Sequence, residues 1–523
     1  LFYRLGDFYE MFFDDAKIAS KELELTLTGR DCGEAERAPM CGVPYHAADS
    51  YIAKLVAKGY KVAVCEQMED PALAKGIVKR DVIRVMTPGT VIESSMLDEA
   101  KNNYLAAIAL FDSACGLTFA DISTGEVHVT LSTGNLLTEK VENEIARFSP
   151  SELLLNNKAL ANASLRSFFQ SRQIAIPEKT DESLFDYEAA VSILSHRFQK
   201  SLEELNLSDK KEAVCALGAA LMYLQQGQQA DLLNLREIDV YDDAKYMGLD
   251  AVARRNLELT ESIQRREVRG SLLWTLDHTK TAMGKRLMRS YVENPLVDVN
   301  AINNRLYCVK ELISNPALLD AIREALSSVN DFERILTRIV YGTANARELR
   351  SLANAVSVIP VLKEKLRGAK TRLLRRIDED LDPLQDVREW IDRAILDDPA
   401  FSVREGNMIR RGYHEELDSL FEIVNGGKEF LSKIEAKEQE KTGIKKLKIG
   451  YNRVFGYYIE VTNAYKDQVP DTYIRKQTLT NCERYITEEL KALESKVLGA
   501  QERITKLEYE LFTQLREQVA NQQ

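Results

Sequence analysis

From about Tyr241 onward the chain carries helical periodicity, interrupted by one short segment that reads as strand, and this pattern narrows the possible folds most. Phe332, Ile335, Leu336, Ile339 and Val340 trace one face of a helix starting near Asn330. Ile504, Leu507, Leu511, Leu515 and Val519 form a longer stripe with charged flanks, as core-facing helices do. Gly427 to Gly443 reads as another charged helix. It leads into Leu447–Thr462, where Gly450 and Gly456 among aromatic and β-branched residues predict a β-hairpin or small sheet. A returning helix is expected from Glu483. The pattern predicts a helical arm leading into a short β-tip and a returning helix.

The first half reads differently. Phe2 to Phe13 is aromatic and strand-like, and Asp14 or Asp15 is expected to cap a helix with Ala16, Ala19 and Leu23 on one face. A second helix runs from about Asp49 to Lys58 and stops at Gly59. Lys61–Glu66 and Val82–Met86 read as strands, the latter closed by Thr87-Pro-Gly-Thr90. Arg37 to His46, with two prolines and a glycine, reads as an irregular loop, and Glu93 to Asn103 as a polar linker. Tyr104–Leu110, Leu117–Ile122 and Glu126–Leu131 are three consecutive strands, Pro150–Leu155 adds another, and helices then dominate. The longest uncharged apolar run, Ala213 to Leu224, is far too short to span a bilayer and reads as a buried helix.

A length of 523 residues predicts about three or four domains. Hydrophobic residues make up 45%, enough for several cores, which excludes wholesale disorder. The chain opens on Leu rather than Met, as a fragment would, and shows no secretory leader. Its seven cysteines, Cys32, Cys41, Cys65, Cys115, Cys215, Cys308 and Cys482, have no C-x-x-C spacing. That excludes a zinc knuckle and argues against a disulfide framework, so a reducing, cytoplasmic setting is expected. The five histidines lie far apart in sequence, and no metal motif is visible.

A net charge of −11 argues against a protein coated uniformly for binding a polyanion, but it allows local contacts. One such place stands out. From Lys441 to Arg484 there are nine Lys or Arg against four Asp or Glu, a local net of +5. Lys445-Lys446-Leu447-Lys448, Tyr451-Asn452-Arg453 and Arg475-Lys476-Gln477-Thr478 mix cations with short donors and aromatics, a composition suited to phosphates. A solvated charged face accounts for it equally well.

Short motifs then recur in order: Gly6-Asp-Phe-Tyr-Glu10, Val43-Pro-Tyr-His46, Cys65-Glu-Gln67, Thr87-Pro-Gly-Thr90, Asp121-Ile-Ser-Thr-Gly125, Arg255-Asn-Leu-Glu258 and Asn481-Cys-Glu-Arg-Tyr485. Over essentially the whole chain this ordered set resembles the MutS family of DNA mismatch-repair proteins, its bacterial members in particular. The resemblance implies a multidomain α/β plus all-α architecture. Residues 1–92 would be a mixed α/β mismatch-binding domain and 103–232 a ribonuclease-H-like connector. Residues 237–414 with 485–523 would be a long-helix lever core, and 415–484 an inserted β-tipped clamp. The loop Arg37–His46 would lie near DNA.

The family's Phe-x-Glu probe falls here on Phe8, Tyr9 and Glu10. On an extended segment Phe8 and Glu10 project together while Tyr9 points back into the domain. A ring can slip between base steps from the minor groove and kink the duplex, and a mispaired step yields most readily. Glu10 would hold the displaced base by a hydrogen bond to a ring nitrogen. On the clamp, Lys446, Lys448, Arg453, Arg475 and Lys476, with Asn481, would hold backbone phosphates. The implied partners are mismatched double-stranded DNA, a second copy of the full-length protein, a MutL-type repair protein and the replication sliding clamp. No membrane is involved, and localisation would be cytoplasmic and nucleoid-associated.

Full-length family members are ATPases that use ATP and Mg²⁺. No G-x-x-x-x-G-K-[ST] occurs in this sequence, and Met283-Gly-Lys-Arg286 lacks both the leading glycine and the hydroxyl residue. The chain itself is therefore not expected to hydrolyse ATP or to hold a cofactor. Two rivals remain at this level. One is a helical scaffold bridging repair proteins without its own DNA site. The other is a nuclease built on Asp121, for which no second and third carboxylate are placed.

Overall fold

The aromatic opening is a hairpin, not one strand. In the computed structural model, Phe2–Leu5 (β1) and Phe8–Phe12 (β2) pair antiparallel around Gly6 and Asp7, with Gly6 at φ +58°. A two-residue hairpin needs positive φ at its first turn position, which glycine adopts without strain. The structure describes residues 1–523 apart from 34–35, 70–77, 173, 178, 180, 229–233, 236, 243–244, 404, 453–455 and 523. They form two units, 1–341 with 358–383 and 342–357 with 384–522.

In the first unit, Thr28–Arg30 (β3), Ala38–Pro44 (β4), Val62–Gln67 (β5) and Arg80–Met86 (β6) complete a sheet of order β3-β4-β2-β1-β5-β6. The β1–β5 pair is parallel and the others antiparallel. The helices Phe13–Leu23 and Ala48–Ala57 bury Ala16, Ala19, Leu23, Ile52 and Leu55 against Phe2, Tyr9, Met11 and Val43 of the sheet. Two expectations are corrected here. Asp14 and Asp15 lie inside the first helical turn, where their charge suits the helix N-terminus; the capping position is Phe12, which makes no side-chain cap bond. The supposed loop 37–46 is mostly β4, paired on both sides. Its prolines are tolerated because Pro39 lies beyond the end of β2 and Pro44 closes the strand.

A second sheet has the order β10-β7-β8-β9-β11, from Leu105–Leu110 (β7), Ala114–Asp121 (β8), Glu126–Thr133 (β9), Glu152–Leu155 (β10) and Asp239–Val240 (β11). The first three form an antiparallel meander, β10 adds parallel to β7, and β11 parallel to β9. Every residue of β7 and β8 is buried, because helices cover both faces. The apolar run singled out in the sequence lies in one of them, Lys211–Gln228.

Glu93–Asn103 is a linker, but a gripped one. Arg334 donates to the carbonyls of Asp98 (2.9 Å) and Lys101 (2.7 Å), Arg286 to that of Glu99 (3.2 Å), and Arg338 to Ser94 Oγ. Arg286 is itself held by both oxygens of Asp331 and by Glu333. The helix Phe332–Val340 thus buries Arg334 and Arg338 beside the predicted apolar stripe.

In the second unit, the helices Glu415–Thr442 and Glu488–Ala520 flank a four-stranded sheet. Lys448–Asn452 (β12), Gly456–Thr462 (β13), Ile474–Thr478 (β14) and Cys482–Ile486 (β15) pair antiparallel in the order β12-β13-β15-β14. The first arm starts before the predicted Gly427 and runs through it. The returning helix starts at Glu488, not Glu483, since Cys482–Ile486 is taken by pairing with β13 and β14 and Thr487 caps the helix. Lower on that helix, buried Glu508 accepts from the backbone amides of Asn407 (2.7 Å), Met408 and Ile409 (both 3.0 Å).

Candidate nucleic-acid interface

Alternation on β2 sorts the opening motif. Tyr9 and Met11 point into the core, Tyr9 only 8% exposed, while Phe8 on the other face is 46% exposed and Glu10 is partly open. A large ring left half in water at a hairpin corner contributes little to stability, since Phe8 is not part of the core cluster beneath it.

Polar groups beneath the strand fix its corner. Arg4, buried on β1, donates through Nε to the Gly6 carbonyl at 2.5 Å and lies 3.8 Å from the centre of the Tyr45 ring. Its guanidinium also stands 3.8 Å from Glu66, which accepts the Tyr9 hydroxyl. Burial, reinforced by the Glu66 carboxylate, pushes the Tyr9 phenol well above its ordinary range, so the group stays a hydrogen-bond donor. The Asp7 carbonyl accepts from the Tyr45 amide at 2.9 Å. The turn carrying Phe8 is therefore tied to β1, β4 and β5 together. Glu10 is paired with Arg30 of β3, Nη1 to Oε2 at 2.6 Å.

The β12–β15 sheet buries one face. Ile459, Val461, Tyr485, Ile449 and Tyr457 pack with Leu447, Tyr473 and Leu490. The arm helices hold it through carboxylates: Glu435 accepts the Ile449 amide (2.9 Å), Glu438 the Tyr473 hydroxyl (2.6 Å) and Glu494 the Tyr457 amide (3.1 Å). A Cβ on Gly456, at φ +74°, would collide with that Glu494 carboxylate. The other face carries a cross-strand row, Lys448–Glu460–Arg484–Gln477. Arg484 bonds Glu460 (3.1 Å) and Gln477 (3.0 Å) and covers the Tyr458 ring at 4.2 Å. Arg475, although exposed, is paired with Glu483 at 3.2 Å. The Tyr485 hydroxyl bonded to Glu483 holds that carboxyl below its usual range, while burial pushes the Tyr485 phenol up to about 12.

The phosphate-contact candidates on this sheet thus separate. Lys446, Lys448 and Lys476 are exposed and make no ion pair among the described residues, and Lys476 is the extra residue of a bulge between Arg475 and Gln477. Asn481 is exposed in the β14–β15 connection. Lys448 and Lys476 stand on opposite edge strands, three strand spacings or about 14 Å apart. Arg453 lies outside the described residues.

Asp121 is committed elsewhere. One oxygen accepts from the Ser123 amide (2.9 Å) and hydroxyl (2.7 Å), the other from Asn102 Nδ2 and the Asn103 amide (both 3.0 Å). Among the described residues no group of three or more His, Cys, Asp or Glu could hold a metal ion, and no helix is long and apolar enough to cross a membrane. Sequence reasoning missed Arg4, Arg30 and Tyr45, whose positions depend on strand pairing and follow no spacing along the chain. Alternation on the opening segment was the one local signal for Phe8.

Comparison with known sequences adds a separate line. The chain matches the families described as MutS domain I over residues 1–95, MutS domain II over 103–236 and MutS domain III over 252–523. It is 48% identical over 522 residues to the DNA mismatch repair protein MutS of Acetivibrio thermocellus, covering all of this chain and 60% of that protein. Identity is 49%, with the same coverage, to the MutS of Ruminiclostridium cellulolyticum. It is 48% to that of Caldanaerobacter subterraneus, over 99% of this chain and 59% of that protein. The chain spans about 60% of the length of the curated relatives it matches.

Proposed function

The chain belongs to the MutS family of DNA mismatch-repair proteins, and from that premise we propose that it recognises mismatched or looped duplex DNA. Phe8 enters the minor groove as a wedge, Glu10 bonds the displaced base, and the clamp tip holds backbone phosphates through Lys446, Lys448 and Lys476, with Arg475 and Asn481 beside them. The observation that carries this reading is the exposed Phe8 ring on a corner whose underside is fixed by Arg4, Tyr9, Tyr45 and Glu66. A wedge works by unstacking a base step, at roughly a few kcal/mol, and only a ring that cannot retreat can impose that strain. Defective pairing lowers the barrier, which makes deformability the property read.

We assign residues 1–92 to mismatch binding, 103–232 to a connector, 237–414 with 485–523 to a lever core, and 415–484 to the clamp. The meander with β10 added parallel to its first strand supports a ribonuclease-H-like connector, in which Asp121 accepts hydrogen bonds from Ser123, Asn102 and Asn103. In the whole protein the family reading adds ATP and Mg²⁺ binding, a homodimer, association with the nucleoid, and contacts to a MutL-type protein and the sliding clamp. The bridging-scaffold alternative leaves the exposed Phe8 without a role.

Phe8→Ala tests the proposal. Binding to a duplex with one G·T mismatch and to its fully paired counterpart should become equal, while the salt-sensitive affinity for paired DNA persists. Retained preference for the mismatch would remove Phe8 as the wedge. Folding stability should move by less than about 0.5 kcal/mol, because the ring is outside the core.

A further inference from the structure

The Glu10 carboxylate is not left bare beside the Phe8 ring. Arg30, on edge strand β3, reaches past β4 to place Nη1 2.6 Å from Glu10 Oε2, with 19% of the Glu10 side chain and 50% of the Arg30 side chain exposed. Opposite Glu10 on β4 stands Gly42, where a Cβ would lie 3.4 Å from Glu10 Cγ, so glycine keeps that lane uncrowded. Among the described residues Glu10 Oε1 has no hydrogen-bond partner.

A carboxylate brought against a polyanion is repelled by phosphates, and the repulsion grows as water is displaced. A guanidinium fixed to one oxygen offsets that charge and limits the rotation of the group. Resting on the reading that Phe8 and Glu10 meet the mispaired step, we propose that Arg30 is the positioning residue for Glu10. It holds Oε2 and neutralises the carboxylate, which leaves Oε1 to accept from the displaced base. Arg30 acts through Glu10 and need not touch DNA.

The test compares the unsubstituted chain with Arg30→Met, Arg30→Lys, Glu10→Gln and the Arg30→Met/Glu10→Gln double variant. Each is bound to the G·T and fully paired duplexes across a salt series. Arg30→Met should lower the preference for the mismatch about tenfold with paired-DNA affinity and salt slope unchanged. Arg30→Lys should restore part of it. In the Glu10→Gln background, where no charge needs a counter-ion, Arg30→Met should add no further loss. An equal loss on both duplexes, with a salt slope shallower by about one, would make Arg30 a phosphate contact and overturn the proposal. A full additional loss in the double variant would overturn it as well. If the unsubstituted chain shows no preference, or Phe8→Ala keeps it, the underlying reading fails first, so the two failures are told apart.

Discussion

The first sheet and the β12–β15 sheet both present charged and aromatic side chains to solvent, but they hold them in opposite ways. At the β1–β2 corner the side chains around Phe8 are tied to one another: Arg4 to Gly6 and Glu66, Tyr9 to Glu66, one oxygen of Glu10 to Arg30. On the β12–β15 sheet, Arg475 and Arg484 are consumed in pairs while Lys446, Lys448 and Lys476 stand clear of ion pairs among the described residues. The difference matches two physical tasks. Imposing a kink requires a side chain at a fixed place, and a rigid surround supplies it. Holding phosphates requires charge within reach, which a long mobile lysine provides without a fixed pose.

The sharpest way to break this contrast is Arg4→Met. It removes the bond to the Gly6 carbonyl and leaves Glu66 and the Tyr9 hydroxyl without their cation. A loss of about 2–3 kcal/mol is expected, read as a lower urea midpoint at unchanged slope. A loss under about 0.5 kcal/mol would show that the corner is not fixed by this network. Next in size, Lys446→Ala combined with Lys448→Ala should weaken paired and mismatched duplexes alike. The salt slope should flatten by about two, with stability hardly changed; a loss confined to one duplex would count against phosphate contact. Smallest is Arg484→Met, which removes the Glu460 and Gln477 bonds and the Tyr458 stack. It should lower stability by about 1 kcal/mol and leave duplex affinity nearer to the starting value than the lysine pair does. A larger effect on binding than on folding would place Arg484 with the free lysines.

Much of the fold was legible where one periodicity ruled. The stripe from Ile504 to Val519 is buried as read, and so are Ala16, Ala19 and Leu23. Errors arose where tertiary pairing outweighed local preference. Proline and glycine made Ala38–Pro44 read as a loop, yet it is the strand that joins Glu10's strand to Arg30's. A returning helix was expected from Glu483, whereas pairing on both sides made Glu483 and Arg484 β-sheet. Exposure of Phe8 followed from alternation alone. The partners that hold the corner could not be read from sequence, because Arg4, Tyr45 and Glu66 meet only once strands distant in sequence lie side by side.

The grip on residues 93–103 has a consequence for how this family varies. Arg334 and Arg286 seize main-chain carbonyls, which every amino acid offers, while Arg338 bonds the Ser94 side chain and Glu93, Lys101, Asn102 and Asn103 are held through their side chains by other partners. At the three gripped carbonyls the segment is thus specified by its count of residues, while Glu93, Ser94, Asn102 and Asn103 are specified by their side chains. Substitutions at Asp98, Glu99 or Lys101 leave each carbonyl in place, while one inserted or deleted residue would slide all three past their guanidinium groups. Among relatives, positions such as Glu99 should drift in spelling, while Asn102 and Asn103 keep their amides and the stretch keeps its length.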